Sequence, residues 1–193
     1  VMLPVSLYDE VTVEKAETGI RVTTDDPSVP GGSSNSCYRA AALYMEWAGA
    51  PKGVHVRVRK AIPPEAGLGG GSSDAAATFK GLMALAGRIP SRETLLGMAC
   101  DVVADVPFFS LNVPALAEGF GERLTSVEWR VPFFALIVKP PFGLSTREGY
   151  GRLGRAAGDP PEEAEVPAFL EWEDVIRAVS NDFEAAWKDT HPE

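Results

Sequence analysis

The stretch IPPEAGLGGGSSDAAATF, residues Ile62 to Phe79, holds four glycines within five positions, followed by an alanine-rich segment typical of a helix. The segment before it, VHVRVRK over Val54–Lys60, alternates apolar and polar residues, which predicts a half-buried strand. A glycine-rich loop between a strand and a helix binds phosphate, because the backbone approaches the anion closely and the helix N-terminus favours negative charge. A flexible linker would not stand between so clear a strand and so regular a helix. The sequence therefore predicts a phosphate-binding loop.

Two common phosphate loops do not match this stretch. A Walker A loop requires a lysine directly after its last glycine, and no lysine follows these glycines. The dinucleotide pattern G-x-G-x-x-G fails as well, because its last position falls on Ser72 when counted from Gly67 and on Asp74 when counted from Gly69. Ser72, Ser73 and Asp74 instead offer oxygens that could cap the helix or bind a metal ion.

The rest of the chain predicts alternating strands and helices. Apolar alternation on both sides of a Glu17–Gly19 turn predicts a β-hairpin over Asp9–Thr24. Helical spacing predicts further helices, and apolar or mixed patterns mark the remaining segments. The predicted helices are Ser34–Gly49, Asp74–Gly87, Ser91–Ala104 and one or two within Phe169–Trp187; Phe133–Pro141 is a predicted strand, and Asp105–Leu124 mixes strand and turn signals. This order predicts an α+β fold, a layered sheet with packed helices, with a boundary near Val127–Pro132.

Composition limits the class of partner. The chain has 193 residues, 45% of them hydrophobic, and a net charge of -9, so it can bury a core but repels nucleic acid at long range. A small anionic ligand stays possible, because backbone amides bind anions irrespective of net charge. Cys37 and Cys100 form no CxxC pair, which favours reduced thiols in a cytoplasmic protein. The two histidines are too few for a metal cluster, and no apolar run has the length of a membrane span.

The segment PPEAGLGGGSSDAA resembles the signature of the GHMP kinases, Pro-x-x-x-Gly-Leu-Gly-Ser-Ser-x-Ala. Its additional glycines resemble the branch of that family that phosphorylates an alcohol linked to cytidine diphosphate, methylerythritol, in non-mevalonate isoprenoid synthesis. Four further motifs are similar to motifs of that branch, in the same order: ADVPFF over Ala104–Phe109, AEGFGERL over Ala117–Leu124, STREGY over Ser145–Tyr150 and NDFE over Asn181–Glu184. The resemblance thus extends over most of the chain.

The resemblance implies a two-domain GHMP kinase fold, with an ATP-binding domain over residues 1–128 and part of a C-terminal domain over 129–193. It implies that Asn35 contacts the nucleotide, and Lys60 is a plausible cation near it. Helix capping by Asn35, and a surface position for Lys60 at a strand end, are the alternatives. The phosphates of ATP would be held by the loop, namely Pro64, Glu65, Ala66, Gly67, Leu68, Gly69, Gly70, Gly71, Ser72 and Ser73.

The resemblance also implies the groups that do the chemistry. Asp105, in an apolar setting that would raise its pKa, would take the proton from the acceptor hydroxyl, paired in the family with a lysine. An aspartate that caps a turn is the alternative. Tyr150 would stack on the cytosine ring with Thr146 close by, although a tyrosine without a ligand is equally compatible. ATP normally carries Mg²⁺, for which Ser72 or Ser73 could be a ligand.

Two parts of the family pattern find no match in this chain. These are an N-terminal strand with the catalytic lysine and an Asp-Gly-Tyr-His segment, and a C-terminal Gly-Ser-Gly loop. We therefore expect the chain to be the middle of a longer kinase that phosphorylates the 2-hydroxyl of its acceptor. A kinase for another small alcohol, such as mevalonate or homoserine, is an alternative that the triple glycine and Asp74 disfavour. A nucleotide-binding protein without catalysis is the other alternative.

Overall fold

The N-terminal part of the chain contains a three-stranded sheet. The computed structural model describes residues 1–119, 121–139, 151–152 and 167–178. The strands of the sheet are β1 (Glu10–Lys15), β2 (Gly19–Thr24) and β3 (Gly53–Arg59), in the spatial order β1-β3-β2. The central strand β3 runs antiparallel to β1 and parallel to β2. Its buried residues Val54, Val56 and Val58 face the core, as the alternating pattern predicts.

The predicted hairpin is wrong, because β3 lies between its two strands. The turn itself is present, but it crosses the start of β3: the N–H of Ala16 donates to Gly53 O, and the N–H of Gly19 donates to Lys52 O. A Cβ at Gly53 would lie 2.5 Å from the carbonyl carbon of Thr18, so this crossing requires glycine. Apolar alternation specifies a strand and its buried face, but it does not specify the neighbouring strand.

Four helices occur between residues 36 and 111: α1 (Ser36–Ala48), α2 (Gly70–Ala86), α3 (Arg92–Val102) and α4 (Val106–Leu111). The predicted α1 and α3 are confirmed, with Asn35 and Ser91 as their N-caps. Helix α2 starts at Gly70 rather than at the predicted Asp74, since the N–H of Ser73 donates to Gly69 O and closes a first turn made of glycine and serine. The short helix α4 was not predicted, because its Val-Pro-Phe-Phe start has no helical periodicity.

The core lies between the sheet and helices α1 to α4. Small residues on α1 and α2 let the two helices approach each other and the sheet closely. At Gly81 of α2, a Cβ would lie 2.6 Å from Cγ2 of Val13, so β1 packs directly against the helix backbone. The buried members of this core are Ala40, Ala41, Tyr44, Ala48, Val54, Ala75, Ala76, Phe79, Leu82, Met98, Ala99, Val102 and Val106.

Short strands occur after α4 in the described residues. Strands β4 (Ala115–Glu118) and β5 (Arg123–Ser126) are antiparallel, and β6 (Glu128–Trp129) pairs in parallel with β7 (Ala168–Phe169), which precedes α5 (Trp172–Ala178). The helix predicted within Phe169–Trp187 is confirmed for residues 172–178. Phe169, where the prediction began, lies in β7, and residues 179–187 are not among those described. The division into domains at 128/129 stays a prediction.

The strand predicted over Phe133–Pro141 is wrong for residues 133–139, which form no strand; 140 and 141 are not described. A strand requires a neighbour to take up its backbone hydrogen bonds, and no ladder to this segment occurs among the described residues. Within the same described ranges, none of the helices combines the length and the apolar character needed to cross a membrane. Cys37 is buried and Cys100 exposed, and both are free thiols.

Candidate nucleotide site

A cavity of about 430 Å³ opens where the β3–α2 loop meets the starts of α1 and α4. Most of the predicted nucleotide-binding residues line it: Asn35, Lys60 and all ten positions of the loop except Ser73. Asp105 lines the same cavity, so the structure brings the predicted base and the predicted phosphate loop together. The predicted acceptor residues Thr146 and Tyr150 lie outside the described residues.

The glycines give this loop a backbone shape that other residues rarely adopt. Gly67 and Gly69 have φ angles of 69° and 66°, in the left-handed region. At Gly69 a Cβ would lie 2.7 Å from Cε2 of Phe109, so α4 packs against the bare backbone of the loop. No side chain caps the N-terminus of α2, and the first N–H groups of a helix have no partner within it. The start of α2 can therefore present donors to a phosphate.

Asn35 performs the helix-capping role that competes with nucleotide contact. Its Oδ1 accepts a hydrogen bond from the N–H of Cys37 at 2.8 Å, and its Nδ2 donates to Pro30 O at 2.7 Å. Both groups of the buried amide are thus engaged within the protein, and Asn35 shapes the cavity wall. The neighbouring Ser36 joins the two helices, because its Oγ donates to Gly71 O at 2.6 Å.

The side chain of Lys60 is buried in an ion-pair network. The alternative of a lysine exposed at the end of a strand is therefore wrong. The Nζ of Lys60 donates to Oδ2 of Asp9 and, at 2.8 Å, to Oδ2 of Asp74. The exposed fractions of the three side chains are 7% for Lys60, 1% for Asp9 and 5% for Asp74. We name these three residues the buried triad. Sequence reasoning missed Asp9, because an aspartate before a strand looks like a solvated residue.

The two carboxylates of the buried triad differ in their affinity for protons. Burial raises the pKa of Asp74 to about 6, against the opposing effect of Lys60, and its Oδ1 is buried without a hydrogen-bond partner. Burial also acts to raise the pKa of Asp9, but hydrogen bonds from Lys60, Ile62 and Ala61 outweigh it and hold that pKa below its ordinary value. Burial acts to lower the pKa of Lys60, but both carboxylates together raise it, so the ammonium stays charged.

Asp105 stands directly before α4, and its side chain does not cap the helix. Burial is the cause that raises the pKa of Asp105 above its ordinary value, which favours proton uptake. No salt bridge to Asp105 occurs within the described ranges, whereas the resemblance pairs this aspartate with a lysine.

The residues of the cavity fit a nucleotide that brings its own Mg²⁺. In the part of the chain that the structure describes, no group of three or more His, Cys, Asp or Glu side chains could hold a metal ion alone. Ser72 and Asp74 line the cavity, and oxygen donors of this kind suit Mg²⁺. Magnesium typically takes one or two protein ligands and completes its shell with phosphates and water, which a cavity lined by bare glycine backbone leaves room for.

The sequence of this chain is similar to those of known kinases. The family model of the GHMP kinases N terminal domain matches residues 35–112. The 4-diphosphocytidyl-2-C-methyl-D-erythritol kinase of Geobacter metallireducens is 37% identical over 193 residues, covering 100% of this chain and 68% of its own length. The kinase of the same name from Acetivibrio thermocellus is 39% identical over 173 residues, covering 89% of this chain and 61% of its own length.

A solved structure agrees with these relatives. The crystal structure of a 4-(cytidine 5'-diphospho)-2C-methyl-D-erythritol kinase superimposes with a TM-score of 0.67 at 35% identity, over 97% of this chain and 66% of that one. The chain thus spans about two thirds of the length of the kinases that it matches. The identity with these relatives and the shared fold show that this chain belongs to the 4-diphosphocytidyl-2-C-methyl-D-erythritol kinase family of the GHMP kinases.

Proposed function

We propose that the chain transfers the γ-phosphoryl group of ATP to the 2-hydroxyl of 4-diphosphocytidyl-2-C-methyl-D-erythritol, a step of non-mevalonate isoprenoid synthesis. The observation that carries this proposal is the shared cavity, in which the glycine loop and Asp105 lie together. The acceptor is inferred from the relatives, which are named as kinases of this compound. Phosphoryl transfer depends mainly on positioned phosphates and stabilised charge, which a backbone cradle at a helix N-terminus provides.

Each part of the cavity has a role in this proposal. The loop from Pro64 to Ser73 surrounds the phosphates of ATP, and the free backbone N–H groups at the start of α2 donate to them. Asp105 accepts the proton of the attacking hydroxyl, and its raised pKa favours that step. Ser72 and Asp74 are the candidate protein ligands of a nucleotide-bound Mg²⁺, which would neutralise phosphate charge. Thr146 and Tyr150 are the proposed contacts of the cytidine-bearing acceptor.

The direct test is release of ADP by the chain when Mg-ATP and 4-diphosphocytidyl-2-C-methyl-D-erythritol are both present. Mevalonate and homoserine serve as control acceptors, and circular dichroism confirms that the protein is folded. We expect ADP release that depends on the cytidine-bearing acceptor. A folded protein that releases ADP only with another alcohol would contradict the acceptor assignment, and ATP binding in calorimetry without any turnover would show a non-catalytic nucleotide-binding protein.

A cytoplasmic location and the absence of a nucleic-acid partner belong to the same proposal. The supporting observations are the net charge of -9 and the two free thiols. Fractionation of cells that carry a tagged full-length gene would test the location. Recovery of the protein with membranes would contradict it.

A further inference from the structure

The buried triad of Asp9, Lys60 and Asp74 joins three separate elements beneath the phosphate loop. Asp9 directly precedes β1, Lys60 directly follows β3, and Asp74 lies in the second turn of α2. With both carboxylates ionised the group carries one net negative charge, and the ammonium is 7% exposed. Lys60 is therefore held by the protein rather than presented as a free cation to a phosphate, and its function has to lie in what it holds.

Asp9 engages three consecutive residues at the entrance to the loop. Its Oδ1 accepts hydrogen bonds from the N–H of Ala61 at 2.6 Å and of Ile62 at 2.8 Å, while its Oδ2 accepts one from the side chain of Lys60. A carboxylate with this many donors is a strong, directional anchor for backbone that has left its strand. The segment 60–62 is thus fixed by a side chain that comes from a distant part of the sequence.

The side chains of segment 60–62 also limit the room beside Gly70, the first residue of α2. A Cβ placed on Gly70 would lie 3.0 Å from Cγ2 of Ile62 and 3.4 Å from Nζ of Lys60. Lys60 and Ile62 therefore leave no room for a side chain at Gly70 and lie directly beside the first residue of α2. We expect a displacement of either residue to alter the position of this helix start, whose residues line the cavity.

We propose that Asp9 is a positioning residue of the phosphate site. Acting through Lys60 and the backbone of Ala61 and Ile62, it holds the first turn of α2 in the position that accepts the nucleotide. This inference rests on the proposed function, because it assumes that the cavity binds ATP. Asp9 itself does not line the cavity, so its effect on a nucleotide is transmitted through the residues it holds.

The test is a double-mutant cycle on nucleotide affinity, measured by calorimetry with Mg²⁺ and a non-hydrolysable ATP analogue. The variants are Asp9→Asn, Lys60→Met and both together. Asparagine keeps an oxygen for the two backbone N–H groups but places an amide NH₂ against the ammonium of Lys60. We expect Asp9→Asn to weaken affinity by about tenfold. The double variant should bind no more weakly than Lys60→Met alone, because Asp9→Asn acts through Lys60.

The matched control is Glu10→Gln, which removes the same charge from the next residue. Glu10 is exposed and pairs with Arg59 at the surface, so its loss should leave the affinity unchanged. Asp9→Glu is the second variant, because it retains the charge but displaces segment 60–62 by one methylene. It should also weaken binding while thermal unfolding stays near that of the parent chain. In a coupled assay on a full-length relative, KM for ATP should rise more than kcat falls.

The outcomes separate this inference from the proposed function. If the parent chain binds no ATP analogue, both are overturned. If the parent chain binds and Asp9→Asn behaves like Glu10→Gln, only the positioning role is overturned. Fully additive losses in the cycle would also contradict it, because Asp9 would then act independently of Lys60. Should Asp9→Asn fail to fold, unchanged affinity of Asp9→Glu overturns the inference.

Discussion

At the scale of single residues, the cavity contains two aspartates whose environments suit different tasks. Asp105 is half-buried at the start of α4, and its carboxylate makes no cap. Asp74 is buried against Lys60, and one of its oxygens has no hydrogen-bond partner. Burial raises the pKa of both groups, but only Asp74 has a charged partner in the described residues. We therefore propose that Asp105 takes the proton of the acceptor, and that Asp74 fixes Lys60 beside the loop.

The variant Asp105→Asn tests this assignment. An amide of equal size cannot accept the hydroxyl proton, so turnover should fall by roughly 10²- to 10⁴-fold, the usual contribution of a general base. ATP affinity should change little, because the loop and α2 are untouched. Asp101→Asn, an exposed aspartate on α3, is the matched control for the loss of charge. Loss of ATP binding by Asp105→Asn, measured by calorimetry, would show that Asp105 is structural instead.

The pKa of Asp74 predicts a pH dependence of stability. Folding raises this pKa from 3.8 to about 6, so the folded state binds the proton more tightly than the unfolded state does. Its stabilising contribution is therefore fully present below pH 3.8 and is lost as the pH rises through about 6. The facing groups, Lys60 and Asp9, stay charged across this window, since their pKa values are raised and lowered respectively.

Urea unfolding of the parent chain and of Asp74→Asn across this window measures the contribution. The free energy of unfolding of the parent, relative to the variant, should fall as the pH rises, because only the parent loses the bound proton. Equal pH dependence in the two proteins would mean that folding does not raise the pKa of Asp74.

At the scale of elements, the proposed phosphate site lies at the start of α2, where glycines leave the backbone uncovered. The variant Gly70→Val should weaken ATP binding by about tenfold or more. Its β-branched side chain meets Ile62 and Lys60 on one side and blocks the approach of phosphate on the other. Gly97→Val is the matched control, because Gly97 is also helical and a Cβ there meets no atom within 4 Å. Equal ATP affinity of the two variants in calorimetry would remove Gly70 from the site.

Sequence patterns predict those elements whose causes are local. Asn35 and Ser91 mark the starts of α1 and α3, and Gly49 ends α1 in the left-handed conformation, so these bounds could be read directly. The insertion of β3 between β1 and β2 could not, because it depends on Gly53 passing beneath Thr18 at long sequence separation. The strand predicted from Phe133 is wrong for residues 133–139, because a run of apolar side chains does not specify a neighbouring strand for the backbone to pair with.

The candidate site was also predictable only in those parts that have a local sequence signal. The glycine loop, Lys60 and Asp105 follow from motifs, and the structure places them at one cavity. Asp9 has no such signal, since its partners lie about fifty positions away and become neighbours only through the β1–β3 pairing. The start of α2 at Gly70 was missed because glycine has low intrinsic helix propensity. The hydrogen bond from Ser36 Oγ to Gly71 O, which ties this first turn to α1, joins residues far apart in sequence and leaves no local signal.

At the scale of the whole molecule, an apolar surface stands apart from the nucleotide cavity. Phe134, Leu136 and Val138 are exposed. Phe134 also lines a groove of about 490 Å³, together with residues 4–8, Asn112, Phe133, Ala135 and Ile137. Exposed apolar side chains that are close in sequence, as here, favour association with other chains. The two cavities share no lining residue, so changes to this surface should leave nucleotide binding intact.

The variant Leu136→Lys should therefore lower self-association of the chain, measured by light scattering at increasing concentration. A charged side chain interrupts the patch, while ATP affinity should stay that of the parent. Ile89→Lys is the control, because Ile89 is exposed in the turn between α2 and α3, outside the groove. Equal reductions by both variants would show that added charge, rather than this surface, controls association.

The insertion of β3 also has a consequence for how the chain folds. The rungs of the β1 ladder join residues far apart in sequence, from Lys15 with Val54 to Glu10 with Arg59, so the sheet cannot grow from the nearby turn that follows β1. Because β1 and β2 both pair with β3, neither ladder can form until α1 and β3 have followed. Contacts of such separation carry a high loop-closure cost and slow the search for the native state. The rate of sheet formation should therefore depend on the α1 connection rather than on the tight turn beside it.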